Sequence, residues 1–367
     1  ITVEDDAPVT SSTVSSVTLP NVNTNIELVL DISGSMSTTD GGGGKTRLQL
    51  MKDSINGVSG TPGLLDGYDN LGDVRVRIIT FSSSAAAQST SWVTISQAKA
   101  IVAALAAGGS TNYDAAISTA QTAYSSPGKI PGAQNVSYFL SDGEPNPVSS
   151  QIDPPQEATW TNFLQSNDVI SFAFGMGTGA TQGALDPIAY NGATNTNTSG
   201  VVVSDITQLP PVLRDSVVAP ATGNVVTGGL GSVGFGADGG HLETLTIDGT
   251  TYTYDPKALG GAGSVTKVGS GTGTFDTTNN TLTVNTVNGG KIVVNLDTGD
   301  YTYTASPTIT STKVENISYT VRDNDGDGAT AALTINVNPP PAVASVPAHV
   351  TSVSSPSALE GATLTYT

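Results

Sequence analysis

Two hydrophobic periods divide the chain. Between residues 24 and 218, short apolar runs alternate with stretches that repeat every three to four positions; from about 219 the period becomes two. Residues 26–30, 74–81, 136–140 and 169–174 are rich in β-branched, leucine and aromatic side chains, and have the length of buried strands. Leu48, Met51, Ile55 and Val58 share one helix face; Ala98, Ile101, Val102 and Leu105 share another. Ser96 is the expected N-cap of that second helix, and Gly108 lies past its end. Tyr113, Ala116, Ile117, Ala120 and Tyr124 make a third helix. Asp153-Pro154-Pro155 opens a fourth, with Trp160, Phe163 and Leu164 on its core face. A short strand at 201–203 and a helix over 205–218 close the stretch. Strands alternating with helices predict a doubly wound, mostly parallel α/β sheet over 24–218.

Beyond 219, alternation runs through Leu282/Val284, Ile292/Val294, Tyr301/Tyr303, Ile317/Tyr319/Val321 and Leu333/Ile335/Val337. Two alternating runs, 242–247 and 251–254, flank Asp248-Gly249, a hairpin signal. An all-β sandwich over 219–338 is expected. Residues 1–23 read either as the end strand and linker of a preceding β module, or as the first strand of a split β domain with 24–218 inserted. Residues 339–367 read as a Pro-rich linker and the start of a further β module.

The candidate chemistry lies where apolar strands stop. Asp31, Ser33 and Ser35 follow residues 26–30 at positions i, i+2 and i+4, so a curled loop turns one carboxylate and two hydroxyls toward one point. Thr111 follows Gly108-Gly109-Ser110, and Asp142-Gly143 follows residues 136–140. Ligands of open α/β sheets bind beyond the carboxyl ends of strands. Hard oxygen donors suit Mg²⁺ or Ca²⁺. Two carboxylates and three hydroxyls leave such a cation under-coordinated, so water or a partner's acidic group would complete its shell. The helix starting just after Thr111 adds a terminus that favours anions.

This order of parts resembles the von Willebrand factor A domain and its metal-ion-dependent adhesion site. The family's Asp-x-Ser-x-Ser matches Asp31, Ser33 and Ser35, its distant Thr matches Thr111, and its second Asp, followed by Gly, matches Asp142. The resemblance implies that the serines and Thr111 contact the metal directly or through water, with the aspartates partly behind them. Residues 316–337 resemble the closing hairpin of Ig-like or cadherin-like repeats of large bacterial adhesins. Together these imply the distal end of a repeats-in-toxin (RTX) adhesin exported by a type I system.

Composition narrows the partners. Thirteen basic against 31 acidic residues give a net charge of −18, which speaks against nucleic acid. Without cysteine there is no thiolate zinc site and no disulfide framework, and the Gly/Thr/Ser/Asn-rich sequence points to a bacterial extracellular protein. His241 and His349, far apart in sequence, read as surface or strand residues. No stretch reaches the ~20 apolar residues of a membrane span, and no signal peptide opens the chain, which looks cut from a longer one. Asp323, Asp325 and Asp327 alternate around Gly326 in a turn that reads equally as a second Ca²⁺ site or a plain hairpin turn; the bidentate Glu of an EF-hand is replaced by Thr334. Glu4, Asp5 and Asp6 are candidates for linker Ca²⁺. The Gly-rich segment 37–45 reads as a mobile rim or a tolerated insertion.

Three functions are open at this point. The first is cation-dependent adhesion to a protein or glycan ligand offering a carboxylate, alongside other modules of the same chain at a bacterial surface. The second is a structural spacer whose metal only stabilises loops. The third is metal-assisted hydrolysis, against which stands the lack of a histidine partner for Ser33 or Ser35. The expectation is a non-enzymatic binder.

Overall fold

The structure, a computed structural model, describes residues 7–226, 234–235 and 239–342. Strand β1 (Thr13–Thr18) comes first. An α/β unit then runs β2 (Thr24–Asp31), α1 (Arg47–Asn56), α2 (Leu64–Leu71), β3 (Val74–Phe81), β4 (Ala85–Ala87), α3 (Ile95–Ala104) and α4 (Tyr113–Tyr124). It continues through β5 (Gln134–Ser141), α5 (Pro154–Ser166), β6 (Val169–Met176), α6 (Gln182–Leu185), β7 (Tyr190–Asn191), β8 (Thr196–Asn197), β9 (Val201–Val203) and α7 (Leu209–Asp215). The sheet order is β4-β3-β2-β5-β6-β7-β8, with β9 also on β6. Strands β3, β2, β5, β6 and β9 are parallel, and antiparallel β4 and β7 sit beside them.

Every residue of β2 is buried, which is why its sequence is a near-continuous apolar run rather than an alternation. Ile26, Leu28 and Leu30 pack with Leu48 and Met51 of α1, Tyr68 of α2, Val102 of α3 and Leu213 of α7. Val29 faces the other way, toward Ala116 and Ala120 of α4, Trp160 of α5 and Leu185 of α6. Helices thus cover both faces, and the switch in strand order beside β2 leaves its carboxyl end open to a ligand.

Local boundaries depart from expectation in four places. Helix α1 stops at Asn56 because Gly57 adopts φ 78°, so Val58 lies beyond it and is exposed. Thr94, not Ser96, caps α3, since Gln97 returns a bond to the Thr94 amide (3.0 Å) while its own amide donates to the Thr94 hydroxyl. Helix α2, unanticipated, buries Leu64, Leu65, Tyr68 and Leu71. The closing helix is short: a 3-10 turn at Ile206–Gln208 precedes α7.

The later strands are β10 (Ala221–Asn224), β11 (Gly240–Ile247), β12 (Thr250–Asp255), β13 (Ser264–Val268), β14 (Thr274–Asp276), β15 (Thr281–Asn285), β16 (Lys291–Asn295), β17 (Asp300–Thr304), β18 (Lys313–Asp323) and β19 (Gly328–Asn338). One sheet runs β1-β19-β18-β11-β12-β13 and the other β10-β17-β16-β15-β14. Leu245, Tyr252, Ile317, Tyr319 and Leu333 of the first meet Val284, Ile292, Val294 and Tyr303 of the second in one core. Asp248 and Gly249, at φ 49° and 73°, make the tight β11–β12 turn.

Strand β1 lies parallel to β19, from Thr13 opposite Leu333 to Thr18 opposite Asn338. Residues 24–218 therefore lie between two stretches of chain that share a sheet. The two units also touch directly. Leu71 and Val218 join the β core, Asn70 Nδ2 donates to the carbonyls of Pro307 (2.8 Å) and Ile309 (3.1 Å), and Lys291 pairs with Asp215 (2.5 Å). Glu4, Asp5 and Asp6, and residues 343–367 expected to begin another module, lie outside the described residues.

One buried charge is at odds with this packing. Glu27, in mid-β2, lies in register between Arg77 of β3 and Ser137 of β5 and is 0% exposed. Neither of its carboxyl oxygens has a hydrogen-bond partner among the described residues, and Arg77 directs its Nη1 to Ser89 and to the carbonyls of Ser89 and Ser91. Burial raises the Glu27 pKa from 4.5 to about 8 against the opposing pull of Arg77 and Lys129. The unfolded chain loses this proton near 4.5 and the folded one only near 8, so the contribution is whole below 4.5 and is lost as pH rises through 8. Urea melts between pH 5 and 9 should show wild type losing on the order of 3 kcal/mol across the window. Glu27→Gln should be nearly flat there; equal slopes for both chains would contradict a protonated, buried carboxyl.

Candidate metal centre

The site begins with Asp31, the last residue of β2, which has no exposed surface. A buried carboxylate requires donors. Asp31 Oδ1 accepts from the Ser33 amide (2.7 Å) and Oδ2 from the Ser141 hydroxyl at the end of β5 (2.5 Å). The first bond curls the chain just past the strand; the second ties the ends of two neighbouring parallel strands. A 3-10 turn, Gly34–Ser37, follows, anchored by fully buried Met36. The Ser33 and Ser35 hydroxyls lie 3.0 Å apart, and Ser35 donates to Asp142 Oδ1 (2.7 Å). Burial pushes the Asp31 pKa up to about 6; bonds from Ser141 and Ser33 pull it down, and the Asp142 charge adds a smaller upward push.

The Thr111 loop is held from both sides. The Gly34 amide donates to the Gly109 carbonyl (2.9 Å) and the Gly108 amide to that of Ile32 (2.7 Å). On the far side, the Asn146 amide donates to the Thr111 carbonyl (2.8 Å), tying the loop to the segment after Asp142. Gly109 sits at φ 90°, where a Cβ would come within 3.0 Å of the Ser82 and Ser83 hydroxyls; only glycine lets these loops close up. Thr111 is buried, 5% exposed. Helix α4 starts two residues later, with Asn112 capping the Ala115 amide (2.9 Å). Below, Tyr113 packs on Phe81 and Phe139 and donates to the Gly143 carbonyl (2.7 Å). Asp31, Ser33, Ser35 and Asp142 are thus linked by hydrogen bonds, and Thr111 is brought to the same strand ends through its backbone.

Ser141 and Arg47 are parts that motif spacing does not single out. Ser141 carried a signal, being a hydroxyl directly before Asp142 at the exit of a strand. Arg47 carried less: it lies beyond the Gly-rich segment yet donates through Nη1 to Asp142 Oδ2 (3.0 Å) and through Nη2 to Asp40 Oδ2 (2.6 Å). Segment 37–45 is therefore pinned. Besides the Asp40–Arg47 pair, the Arg47 amide donates to the Thr38 carbonyl (3.0 Å) and Lys45 pairs with Asp53 (2.6 Å).

The donors are all hard oxygens, and Asp142 takes a cationic partner where it can find one. Such a set fits a divalent cation of the Mg²⁺ or Ca²⁺ kind and offers nothing to a soft metal. Asp31, Ser33, Ser35, Thr111 and Asp142 are the residues that would hold it.

Fold and site together define a doubly wound α/β domain with an oxygen-lined centre at its strand ends. Residues 26–144 match the von Willebrand factor type A domain family. Among solved structures, proximal thread matrix protein 1 from the mussel byssus, with a zinc-occupied MIDAS motif, is 18% identical over 54% of this chain and 46% of its own, at a TM-score of 0.41. The chain thus spans less than half the length of that protein. A von Willebrand factor type A protein from Catenulispora acidiphila is 14% identical over 86% of this chain and 66% of its own, at 0.40. The PilB minor pilin of Streptococcus sanguinis is 15% identical over 54% and 61%, at 0.39. No curated protein sequence matches the chain.

The acidic turn between β18 and β19 brings oxygens of Asp323, Asp325 and Asp327 within 4.8 Å of one another. Asp323 Oδ1 also accepts from the amides of Gly326 (2.8 Å) and Asp327 (2.7 Å), the bonds of an ordinary capped turn. Thr334 lies within β19. His241 lies in β11, edge-on to Tyr254; His349 lies outside the described residues.

Calorimetric titration with Mg²⁺ or Ca²⁺ should show a site whose affinity falls at least about tenfold in Asp142→Ala, with the circular dichroism spectrum unchanged. Apparent affinity should also fall as pH drops below about 6, because the cation then competes with a proton on Asp31 that must be released to solvent. Unaltered binding in Asp142→Ala would place the cation elsewhere.

Proposed function

We propose that this chain is the ligand-binding region of an extracellular bacterial adhesin, holding a partner's acidic group through a divalent cation. The observation that carries the reading is the buried pair Asp31 and Asp142, joined through Ser33 and Ser35 at the open carboxyl ends of β2 and β5. Five protein oxygen ligands of this kind leave room in a shell of six or more, and a carboxylate from outside is the natural completion. The start of α4 just beyond Thr111 favours the same charge.

The later strands, read as an Ig-like or cadherin-like repeat, act as a spacer, with Ca²⁺ at Asp323, Asp325 and Asp327 stiffening the module. The acidic, cysteine-free sequence supports placement on the surface of a bacterium, within an RTX-type adhesin exported by type I secretion and active in attachment or biofilm formation. We read it as a binder and not an enzyme: Ser33 and Ser35 bond to each other and to Asp142, and His241 lies in the β unit. The competing reading, a spacer whose cation only fastens loops, draws on the hydrogen bonds that already tie the three loops together.

Beads coated with the chain should adhere to a glutamate-rich peptide film in Mg²⁺ or Ca²⁺ and release in chelator. Thr111→Ala should abolish adhesion while its melting temperature stays within a few degrees of wild type. Adhesion that survives both the substitution and the chelator would favour the spacer.

A further inference from the structure

Arg47 is the first residue of α1, fixed behind the N-cap Thr46, whose hydroxyl accepts from the Gln49 amide (3.0 Å). Its guanidinium is shared between two carboxylates of unlike surroundings. Nε and Nη2 clasp Asp40, at 2.9 and 2.6 Å, and this carboxylate is substantially exposed at the rim. Nη1 donates at 3.0 Å to Asp142, whose side chain is 0% exposed. Asp142 is thereby used on both sides, with Oδ1 accepting from Ser35 and Oδ2 from Arg47. The remaining acid of the centre, Asp31, has only neutral donors.

We propose that Arg47 is the resident counter-cation of the site: it neutralises Asp142 without a metal, sets how tightly a divalent cation binds, and gives the loaded centre the positive charge that selects an acidic partner. This rests on the reading of Asp31, Ser33, Ser35, Thr111 and Asp142 as a cation site. Two carboxylates against a divalent ion alone make a neutral centre; the guanidinium adds one positive charge directly beside it, which the half-exposed Asp40 offsets only from the rim, where solvent screens it. The same charge works against entry of the ion, because like charges at short range in a partly buried site repel strongly. Cation affinity and ligand affinity therefore depend on Arg47 with opposite sign. Asp40 moderates both effects by drawing the guanidinium charge outward, so the Gly-rich rim reports on the metal through one side chain. A guanidinium suits this role better than an ammonium, since its planar fork serves two carboxylates at once.

The test measures Mn²⁺ affinity and, separately, adhesion to the glutamate-rich film at saturating Mn²⁺. Arg47→Gln should tighten Mn²⁺ by about tenfold, on the order expected for removing one nearby like charge, and should weaken adhesion to the loaded chain. Asp40→Asn should act in the opposite direction on the metal, loosening Mn²⁺ severalfold, because the guanidinium then bears on Asp142 alone. A folded Arg47→Gln chain that binds Mn²⁺ no more tightly than wild type overturns the proposal, as does Asp40→Asn tightening the ion. Should Arg47→Gln fail to fold, Asp40→Asn decides on its own, with unchanged or tighter Mn²⁺ binding counting against. A wild-type chain that takes up no Mn²⁺ removes the cation reading itself and this inference with it, whereas wild-type binding without the opposite shifts removes only the role of Arg47.

Discussion

A carboxylate sealed at the end of a central strand must be met by donors or by charge, and Asp31 is met by donors. The Ser33 amide and the Ser141 hydroxyl hold its two oxygens. Those two bonds dictate much of what surrounds them. One bends the chain straight after β2, so that Ser33 and Ser35 come back over the strand end; the other locks β5 beside it, which places Asp142 one residue further on. The Gly34 amide then reaches Gly109 and draws in the Thr111 loop. Placing a charge there is costly, as the rise of the Asp31 pKa to about 6 records. A fold held only for stability would be served as well by an apolar residue. Binding sites are where such costs are tolerated.

Asp142, the second acid, is treated differently. Its neighbourhood includes a cationic side chain from α1, itself held by a rim carboxylate. One acid is satisfied by neutral donors and the other by a hydroxyl and a guanidinium, while backbone bonds at Gly34, Gly108 and Asn146 hold the loops independently of both. Residues 24–218 in turn lie between β1 and the sheet that β1 completes, so the α/β unit is attached to the β unit through covalent links at both of its ends.

The parts of this arrangement legible in the sequence were those with a local signature. Residues 26–30 and 136–140 are so uniformly apolar that burial on both faces follows, and the acids and hydroxyls just past them follow as loop residues at strand ends. Helix α4 was readable from Tyr113, Ala116, Ile117, Ala120 and Tyr124. What escaped was set by choices between near-equal local options or by distance along the chain. Thr94 and Ser96 are both fair caps, and Gln97 decides between them by its reciprocal bond. Helix α2 is brief and contains Gly67, which weakens its period. Arg47 meets Asp142 across 95 positions, a contact that no window along the sequence contains; of the two readings open for residues 1–23, the pairing of β1 with β19 matches the split β domain.

The central claim is that three loops converge on one cation, and the most direct measurement is anomalous diffraction from crystals grown with Mn²⁺. The account predicts a strong peak at the carboxyl ends of β2 and β5, within bonding distance of the Ser33 and Ser35 hydroxyls, with Thr111 and Asp142 around it. A peak confined to the Asp323 turn, or none near Asp31, would contradict it.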